Sequence, residues 1–452
     1  MNLAFKKIQA RISFTEIGYL IFFISLVCAF RAITCISIVL LVIAGMIEKR
    51  FTLRTLLSRH PANEFALLCS LFLLLQIFSL VYTHNMQAGW TDLQLKSGLV
   101  FLPFAVICTG PLKREVIEKL LWYYCIVLLM ASMFLLCRAS IECLRTGTIT
   151  PLFYHALVSP FGYHAVYFSI LVFVALAFLV EIFISGENIS NRTVLIFLIC
   201  FFSFVLLLLA SKLILSFYLF YLIYCLMVRA GSDKAIRLIS YSTILLIVSI
   251  STILVVTRNP IGYRFRDVVH GNISLISQDE FSPAVYFNGL QFRMLEWKLV
   301  PEILNEKHRW WTGVGGGDAQ DILDQKYLSK HMYAGTKKMP GHPVIRSYET
   351  VERGYLGYNT HSQLLESLLQ NGIPGLVVFI LICFCLLKMM WQTHRTMVKF
   401  IILLLVIYSV VESVFQQQYG IVIFTFFPIF MNQVNFKRTT SGSITQNQLH
   451  YQ

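Results

Sequence analysis

A single histidine stands where a polar stretch gives way to a long apolar run, in the segment from Asn359 to Leu376. Thr360 and Gln363 have the spacing of a capping box, which predicts a helix that starts here with His361 in its first turn. The dipole of a helix N-terminus favours the neutral imidazole and attracts anions. A neutral imidazole can accept a proton, as a general base must. The alternative is a helix-cap histidine at a membrane interface with no chemical role, and spacing alone does not separate the two.

Small and apolar residues recur after this histidine at alternating steps of four and three, which predicts one helix face: His361, Leu365, Leu368, Gly372 and Gly375. The two glycines would allow close helix contact. Pro374 would interrupt the backbone hydrogen bonds. The histidine is therefore expected at the outer boundary of a membrane helix.

Cations elsewhere in the chain could bind an anionic ligand. Lys212 lies within an apolar run, Arg293 lies four residues before Trp297 on one helical face, and Arg264 and Arg266 alternate with aromatic residues. Arginine's planar fork suits bidentate phosphate binding better than lysine does. The alternatives are a helix-end anchor for the lysine, a salt bridge within the loop for Arg293, and interfacial anchoring for the other two arginines.

Other polar patterns carry weaker signals. The stretch from Gly313 to Asp318 lacks the Gly-Lys-Ser/Thr ending of a phosphate loop, so a tight turn against the preceding tryptophans is expected. Three aspartates at steps of three predict a solvated helix face: Asp318, Asp321 and Asp324. The histidines of this region lack metal-site spacing, and no metal is predicted. Glu412 is a weaker candidate for orienting a cation or binding an acceptor.

The composition assigns these residues to a membrane protein. Of 452 residues, 57% are hydrophobic and 13% charged, and the mean hydropathy is +0.70, whereas soluble domains carry about 25% charged residues. A soluble enzyme is therefore excluded. A formal net charge of +14 would suggest nucleic acid as the partner of a soluble protein. Here the cations border apolar runs, and no nucleic acid is expected.

Crossing about 30 Å of hydrocarbon takes roughly 17 to 25 apolar residues. Twelve candidate spans are predicted, at about 17–30, 32–47, 65–82, 97–110, 117–137, 165–184, 193–210, 213–229, 236–257, 373–391, 398–413 and 420–434. With the N-terminus inside, the inside segments hold 19 Lys and Arg and the short outside segments hold 5. Because cations accumulate in cytoplasmic loops, both termini are predicted to be cytoplasmic.

The predicted fold is an all-α polytopic membrane protein with about twelve transmembrane helices and one large, partly helical outside loop. The loop has the composition of a folded soluble segment, and a loop this long is uncommon unless it is functional. Four regions follow: an N-terminal transmembrane region of about nine spans (1–257), the loop domain (258–360), a C-terminal transmembrane region of about three spans (361–436) and a polar tail (437–452).

With these motifs in order, the chain resembles the superfamily of O-antigen ligases and O-antigen polymerases of the bacterial envelope. The family signature is His, then Asn, Ser or Gln, nine residues, and Gly-x-x-Gly. Here it corresponds to His361-Ser362, nine residues, and Gly372-Ile373-Pro374-Gly375. The segment from Arg293 to Trp297 and the stretch Gly313-Val314-Gly315 occur in the family's order. The motifs cover about Leu206 to Leu376.

The resemblance implies a multi-pass protein of the bacterial inner membrane, with the loop in the periplasm. It implies transfer of a glycan from an undecaprenyl diphosphate carrier, without metal or cofactor, to lipid A core, a growing glycan or another acceptor. His361 would activate the acceptor hydroxyl and Arg293 would hold the diphosphate. Lys212 stands where the family usually has a second arginine, and Arg264 and Arg266 are further candidates for the diphosphate.

A single base that deprotonates a hydroxyl for direct attack on the anomeric carbon predicts inversion, and no pair of carboxylates is needed as in glycoside hydrolysis. An O-antigen ligase is slightly favoured over an O-antigen or capsular polysaccharide polymerase. The less favoured alternatives are a lipid-linked oligosaccharide transporter, although two similar halves are missing, and a membrane scaffold.

Overall fold

The computed structural model describes residues 12–48, 60–185, 192–230, 273–335 and 354–433, and within these ranges the chain is helical with no strand. Its α-helices are α1 (Phe14–Val27), α2 (Arg31–Ile47), α3 (Pro61–Ser79), α4 (Met86–Lys96), α5 (Gly98–Cys108), α6 (Arg114–Thr146), α7 (Tyr154–Val158), α8 (Ala165–Ser185), α9 (Arg192–Leu209), α10 (Lys212–Ala230), α11 (Gly289–Lys307), α12 (Ala319–Ser329), α13 (Gln363–Gln392), α14 (Thr396–Val411) and α15 (Gln418–Asn432).

Eleven of the twelve predicted spans coincide with apolar helices, and the ninth, 236–257, lies outside the described residues. By length and composition, six candidate spans can cross a membrane: α3, α4 with α5, α6, α8, α9 and α13. The remaining apolar helices are shorter: α1, α2, α10 to Val228, α14 and α15. The all-helical membrane architecture is confirmed, and the count of twelve stays a prediction.

Helix α8 forms the centre of the bundle. Every residue from Tyr167 to Leu179 on it is buried, because it packs against α6, α9, α10, α14 and α15. A helix that is apolar on all sides is expected in such an interior position. Two tyrosine hydroxyls from its neighbours donate to its backbone, from Tyr124 to Leu171 O at 2.7 Å and from Tyr221 to Ala177 O at 2.9 Å.

The helices alternate in direction, so their connections gather at two ends of the bundle. At one end, Lys119 pairs with Glu16 at 2.9 Å and Arg395 with Glu181 at 2.8 Å. These two cations are among those that the sequence assigns to cytoplasmic segments. The segments that follow α3 and α14 and that precede α8 and α13 lie at the opposite end. The compartment on either side stays a prediction.

The described part of the long loop is folded, as its composition predicts. A separate hydrophobic cluster joins α11 and α12 to the first two turns of α13, with Phe292, Leu299, Leu323 and Leu365 among its buried members. Helix α11 begins with a capping box in which the Asn288 side chain accepts from the backbone of the first turn. The loop therefore sits on the start of α13, directly above the predicted base.

The predicted start of α13 is wrong. The helix begins at Gln363, and Ser362 is its N-cap with no side-chain capping bond. His361 therefore precedes the helix. The Thr360 hydroxyl donates to Glu366 at 2.8 Å, and Gln363 Oε1 accepts from the Phe415 backbone N–H at 2.7 Å. Tertiary partners use both groups that the local capping box would need.

The continuous helix face predicted from His361 to Gly375 is also wrong. Gly372 has φ +63° and ψ −158°, which breaks α13 into two helical parts. A Cβ on Gly372 would lie 2.5 Å from Trp310 O, so the missing side chain admits the loop backbone. At Gly375, a Cβ would meet Ser367 O at 2.6 Å within the same helix. Gly372 thus serves the break and the loop contact, and the close helix contact expected of the two glycines stays a prediction.

Candidate active site

Three of the predicted site residues meet at the end of the bundle that faces the loop. His361 Nδ1 lies 3.2 Å from Glu412 Oε1, and Arg293 Nη2 lies 3.3 Å from Glu412 Oε2. They come from the segment before α13, from α11 and from the connection between α14 and α15. Glu412, a weaker candidate in the sequence, is the residue that joins the other two.

The backbone at His361 is strained. Its φ is +45°, in the left-handed region that L-residues rarely adopt. Asn359 Oδ1 accepts from the His361 backbone N–H at 3.0 Å. The imidazole packs against the rings of Phe292 and Tyr358, each with a centroid distance of 5.7 Å. Backbone strain of this kind persists where surrounding contacts hold it, and it is common at functional sites.

The exposed side of the imidazole leaves room for a ligand. The side chain is 22% exposed, and the described residues provide a hydrogen-bond partner for Nδ1 and none for Nε2. If Nδ1 carries the proton and donates a hydrogen bond to Glu412, Nε2 has a free lone pair. That tautomer is the one in which a histidine can accept a proton from a bound hydroxyl.

Glu412 is a carboxylate held in its charged form. It lies beyond the last residue of α14 with a side chain that is 15% exposed. Burial raises the pKa of this carboxyl, but the charge and hydrogen bond of His361, then the charge of Arg293 and that of His164, outweigh it and hold the pKa at about 2. A permanent negative charge beside Nδ1 favours a proton on that nitrogen.

The guanidinium of Arg293 is fixed by backbone acceptors as well as by Glu412. Nε donates to Val411 O at 2.7 Å and Nη1 donates to Gly289 O at 2.7 Å. The side chain remains 32% exposed. A guanidinium anchored at three points and still partly open offers a positioned positive charge to an anionic group.

Of the other predicted cations, Lys212 can be placed by its position along α10. Helices α8 and α10 run parallel, since Phe173 contacts Phe217 and Ala177 accepts from Tyr221. This register puts Lys212, the first residue of α10, level with Phe168 and so at the same end of the bundle as the site. Arg264 and Arg266 lie outside the described residues.

The glycine stretch of the loop docks on the break in α13. Val314 N donates to Leu369 O at 2.8 Å and Gly315 N donates to Gln370 O at 3.0 Å. In return, Ile373 N donates to Trp310 O at 2.8 Å. A Cβ at Gly313 would lie 2.4 Å from Gln370 O, which explains the absence of a side chain there. The stretch binds a helix backbone and holds the loop over the site.

A family model described as O-Antigen ligase matches residues 194–380. Residues 194–380 thus match the O-antigen ligase superfamily. This confirms the resemblance inferred from the sequence and implies a membrane glycosyltransferase-type function. No curated protein matches the chain. Arg293, His361 and the glycine stretch lie within the O-antigen ligase match, whereas Glu412 lies beyond it.

The solvated face predicted for the three aspartates is found only in part, because Asp321 is exposed whereas Asp318 is buried. Asp318 accepts from the backbone N–H groups of His84 at 2.9 Å and Asn85 at 2.8 Å. Asp321 accepts from the Asn85 side chain at 2.9 Å, and Asp324 accepts from Gly357 N at 2.9 Å. They tie the loop to the α3–α4 connection and to its own later segment.

Sequence reasoning missed a buried polar network. It joins α4, which precedes the residues of the O-antigen ligase match, to the start of α13, which lies within them. Lys96, with no exposed surface, contacts Asp92 and Gln370, and Gln370 contacts Glu366. Two signals were available. Lys96 and Asp92 stand four residues apart beside an apolar run, and Glu366 and Gln370 repeat that spacing just after His361.

Proposed function

We propose that the protein is an inverting, metal-independent glycosyltransferase of the O-antigen ligase type. It moves a glycan from an undecaprenyl diphosphate carrier to an acceptor hydroxyl at the periplasmic face of the bacterial inner membrane. The observation that carries the proposal is the meeting of His361, Glu412 and Arg293 at one end of the bundle, with the imidazole partly exposed. Such a cluster combines a base, its orienting carboxylate and a cation for a leaving group.

His361 is the general base of the proposed reaction. The Glu412 carboxylate accepts a hydrogen bond from Nδ1–H, so Nε2 has the free lone pair that takes the proton of the acceptor hydroxyl. The acceptor oxygen then forms a bond to the anomeric carbon while the bond from that carbon to the diphosphate oxygen breaks. The electron pair leaves with the diphosphate, and attack from the opposite face inverts the configuration. Glu412 stabilises the resulting imidazolium, as the carboxylate of a Ser-His-Asp triad does.

Arg293 stabilises the departing diphosphate in this proposal. Negative charge grows on the leaving group as the bond breaks, and a preorganised cation in a partly dry site favours that change. The anchoring of the guanidinium by Val411 O and Gly289 O fixes its direction before substrate arrives. Lys212 is proposed as a second cation at the same end, and Arg264 and Arg266 as further diphosphate ligands.

The bundle end suits a lipid-linked donor. The isoprenoid can stay in the hydrocarbon while its diphosphate reaches the interface under the loop. The cations Lys119 and Arg395 lie at the other end of the helices, which supports cytoplasmic termini and a periplasmic loop. Proposed acceptors are lipid A core, which makes the protein a ligase, and a growing glycan, which makes it a polymerase.

The test is glycan transfer by purified protein, with undecaprenyl diphosphate oligosaccharide as donor, lipid A core as acceptor and a chelator present. We expect transfer by the wild type, loss with His361→Ala, and full activity with His331→Ala, an exposed loop histidine. A single shift in product size indicates a ligase and a ladder indicates a polymerase. Full activity of His361→Ala would rule out the base, and the absence of transfer by every protein would favour a transporter.

A further inference from the structure

A fully buried lysine begins a chain of side chains that reaches the proposed base. Lys96, at the end of α4, has no exposed surface. Its ammonium donates to Asp92 Oδ2 at 2.6 Å and to Gln370 Oε1 on α13. Burying an ammonium costs much free energy unless it is paired and hydrogen-bonded. The mechanism proposed above gives this residue no task.

The ammonium sets the orientation of the next side chain. A lysine ammonium can only donate, so the group of Gln370 that faces it must be the amide oxygen. Gln76 Nε2 donates to the same oxygen at 2.9 Å, in agreement. The amide nitrogen of Gln370 must therefore point the other way, where it donates to Glu366 Oε1 at 2.7 Å.

Glu366 connects Gln370 by hydrogen bonds to the segment that contains His361. Gln416 Nε2 also donates to its Oε1, at 2.9 Å, and the Thr360 hydroxyl donates to its Oε2 at 2.8 Å. With each of these groups donating, both side-chain oxygens of Glu366 have a hydrogen-bond donor. Thr360 is the residue immediately before His361.

The last link joins the two segments of the catalytic pair. The hydroxyls of Thr360 and Ser413 lie 3.1 Å apart, and Ser362 N donates to Ser413 Oγ at 3.2 Å. Thr360 and Ser362 flank His361, and Ser413 follows Glu412. These contacts hold the strained backbone of His361 against the segment that presents Glu412.

We propose that Lys96 is a positioning residue that sets the contact between His361 and Glu412 through Gln370, Glu366 and Thr360. The inference rests on the proposed function, since it assigns a task within that reaction. Without the ammonium, the Gln370 amide is free to turn and Glu366 loses a fixed donor. The strained segment at His361 then relaxes, and the imidazole moves from its carboxylate. A misplacement of about 1 Å at a reacting group can cost about 100-fold in rate.

The test compares Lys96→Met with Lys119→Met in the transfer assay, over pH 5 to 9 and over donor concentration. Lys119 is a matched control, because it is a poorly exposed lysine paired with Glu16 at the other end of the bundle. For Lys96→Met we expect a kcat lower by about 10- to 100-fold, little change in the donor KM, and an acid limb moved to lower pH. Lys119→Met should keep the limb and the kcat.

The shift of the acid limb separates positioning from simple loss of folded protein. Other ionisable groups lie around the pair on each packed element and are unchanged in these variants: Arg293 of α11, His164 before α8, Tyr408 of α14, Glu366 of α13 and Tyr358. A protonated imidazole that has lost its carboxylate gives up its proton more readily. Partial unfolding would lower the transfer rate at every pH and would leave the position of the acid limb unchanged.

A second variant covers the case in which Lys96→Met does not fold. Gln370→Met keeps the pair of Lys96 with Asp92 and breaks the next link, so it should lower kcat and move the acid limb in the same direction. Unchanged kcat and pH limb in Lys96→Met, or in Gln370→Met where Lys96→Met does not fold, would overturn the positioning role, even with His361→Ala inactive. Activity retained by His361→Ala would instead overturn the proposed function.

Discussion

His361 and Glu412 stand 51 positions apart in the chain and meet at 3.2 Å between Nδ1 and Oε1. The contact brings together the segment before α13 and the connection after α14. It fixes which imidazole nitrogen carries the proton and which faces the open side. In the proposed reaction, Glu412 therefore holds the imidazole in the orientation that a general base needs.

Replacing the carboxylate should remove that orientation with little change of shape. In Glu412→Gln the amide can donate to Nδ1 and so favour the wrong tautomer, with the proton on Nε2. We expect transfer to fall by about 100-fold or more, since general-base catalysis contributes roughly 10²–10⁴-fold. Initial rates at saturating donor measure this. The shorter Glu412→Asp should keep part of the rate, and equal rates for Gln and wild type would show that the carboxylate has no part in catalysis.

The low pKa of Glu412 means that another group sets the pH dependence of the rate near neutrality. Its folded value of about 2 is below the ordinary 4.5, so its stabilisation is present above about pH 4.5 and is lost as the pH falls towards 2. Glu412 thus stays charged from pH 5 to 9, and an acid limb in that range reports another group. In Glu412→Gln the limb should move to lower pH, because the imidazolium loses its carboxylate. A limb at unchanged pH would mean that the two groups are not coupled during the reaction.

Arg293 should not be replaceable by lysine. Its Nε and Nη1 atoms donate to two backbone carbonyls, Val411 O and Gly289 O, while the group remains partly exposed. A lysine retains the charge and loses this fork. We expect Arg293→Lys to lower kcat/KM for the donor by about 10- to 100-fold, the range for losing hydrogen bonds to a charged group. Arg309→Lys, in the same loop, is the control, and an equal loss there would point to a general effect on the loop.

The sequence predicted the residues that stand in local motifs. His361 and Arg293 are predictable because a polar segment before an apolar run and an Arg-x-x-x-Trp spacing can be read from neighbouring residues. Glu412 gives only a weak signal in the sequence, because it is remote in the chain from His361. Lys96 was missed because a lysine beside an apolar run resembles an interfacial anchor. Its burial depends on contacts with α13, which no local pattern encodes.

The local capping pattern at Thr360 failed for a similar reason. Thr360 and Gln363 have the right spacing, but Glu366 and the Phe415 backbone compete for their side chains. Helix positions were predicted well because apolar length decides them. The exact start of α13, and with it the left-handed backbone of His361, depends on tertiary hydrogen bonds.

The break in α13 should tolerate no side chain. An alanine at Gly372 would occupy a backbone region that is essentially restricted to glycine, at a cost of about 1–3 kcal/mol, and would also place a Cβ 2.5 Å from Trp310 O. Gly147, at the end of α6, has a similar φ of +67° with no atom within 4 Å of a Cβ. We expect Gly372→Ala to lower both the thermal unfolding midpoint in detergent and the transfer rate by more than Gly147→Ala. Equal effects would mean that the loop backbone can move away from the break.

Asp318 should make the attachment of the loop sensitive to acid. Burial raises the pKa of this carboxyl, but the backbone N–H groups of His84 and Asn85 outweigh it and lower the pKa below the ordinary 3.8. The stabilisation is therefore complete above about pH 4 and is lost as the pH falls below that. In Asp318→Asn, amide hydrogen exchange in the α3–α4 connection should accelerate at neutral pH, because the lost charge-assisted bonds contribute roughly 1–3 kcal/mol. Asp279→Asn, which removes an exposed pair with Lys298, should leave that exchange unchanged. Unaltered exchange in Asp318→Asn would mean that the glycine stretch alone holds the loop on α13.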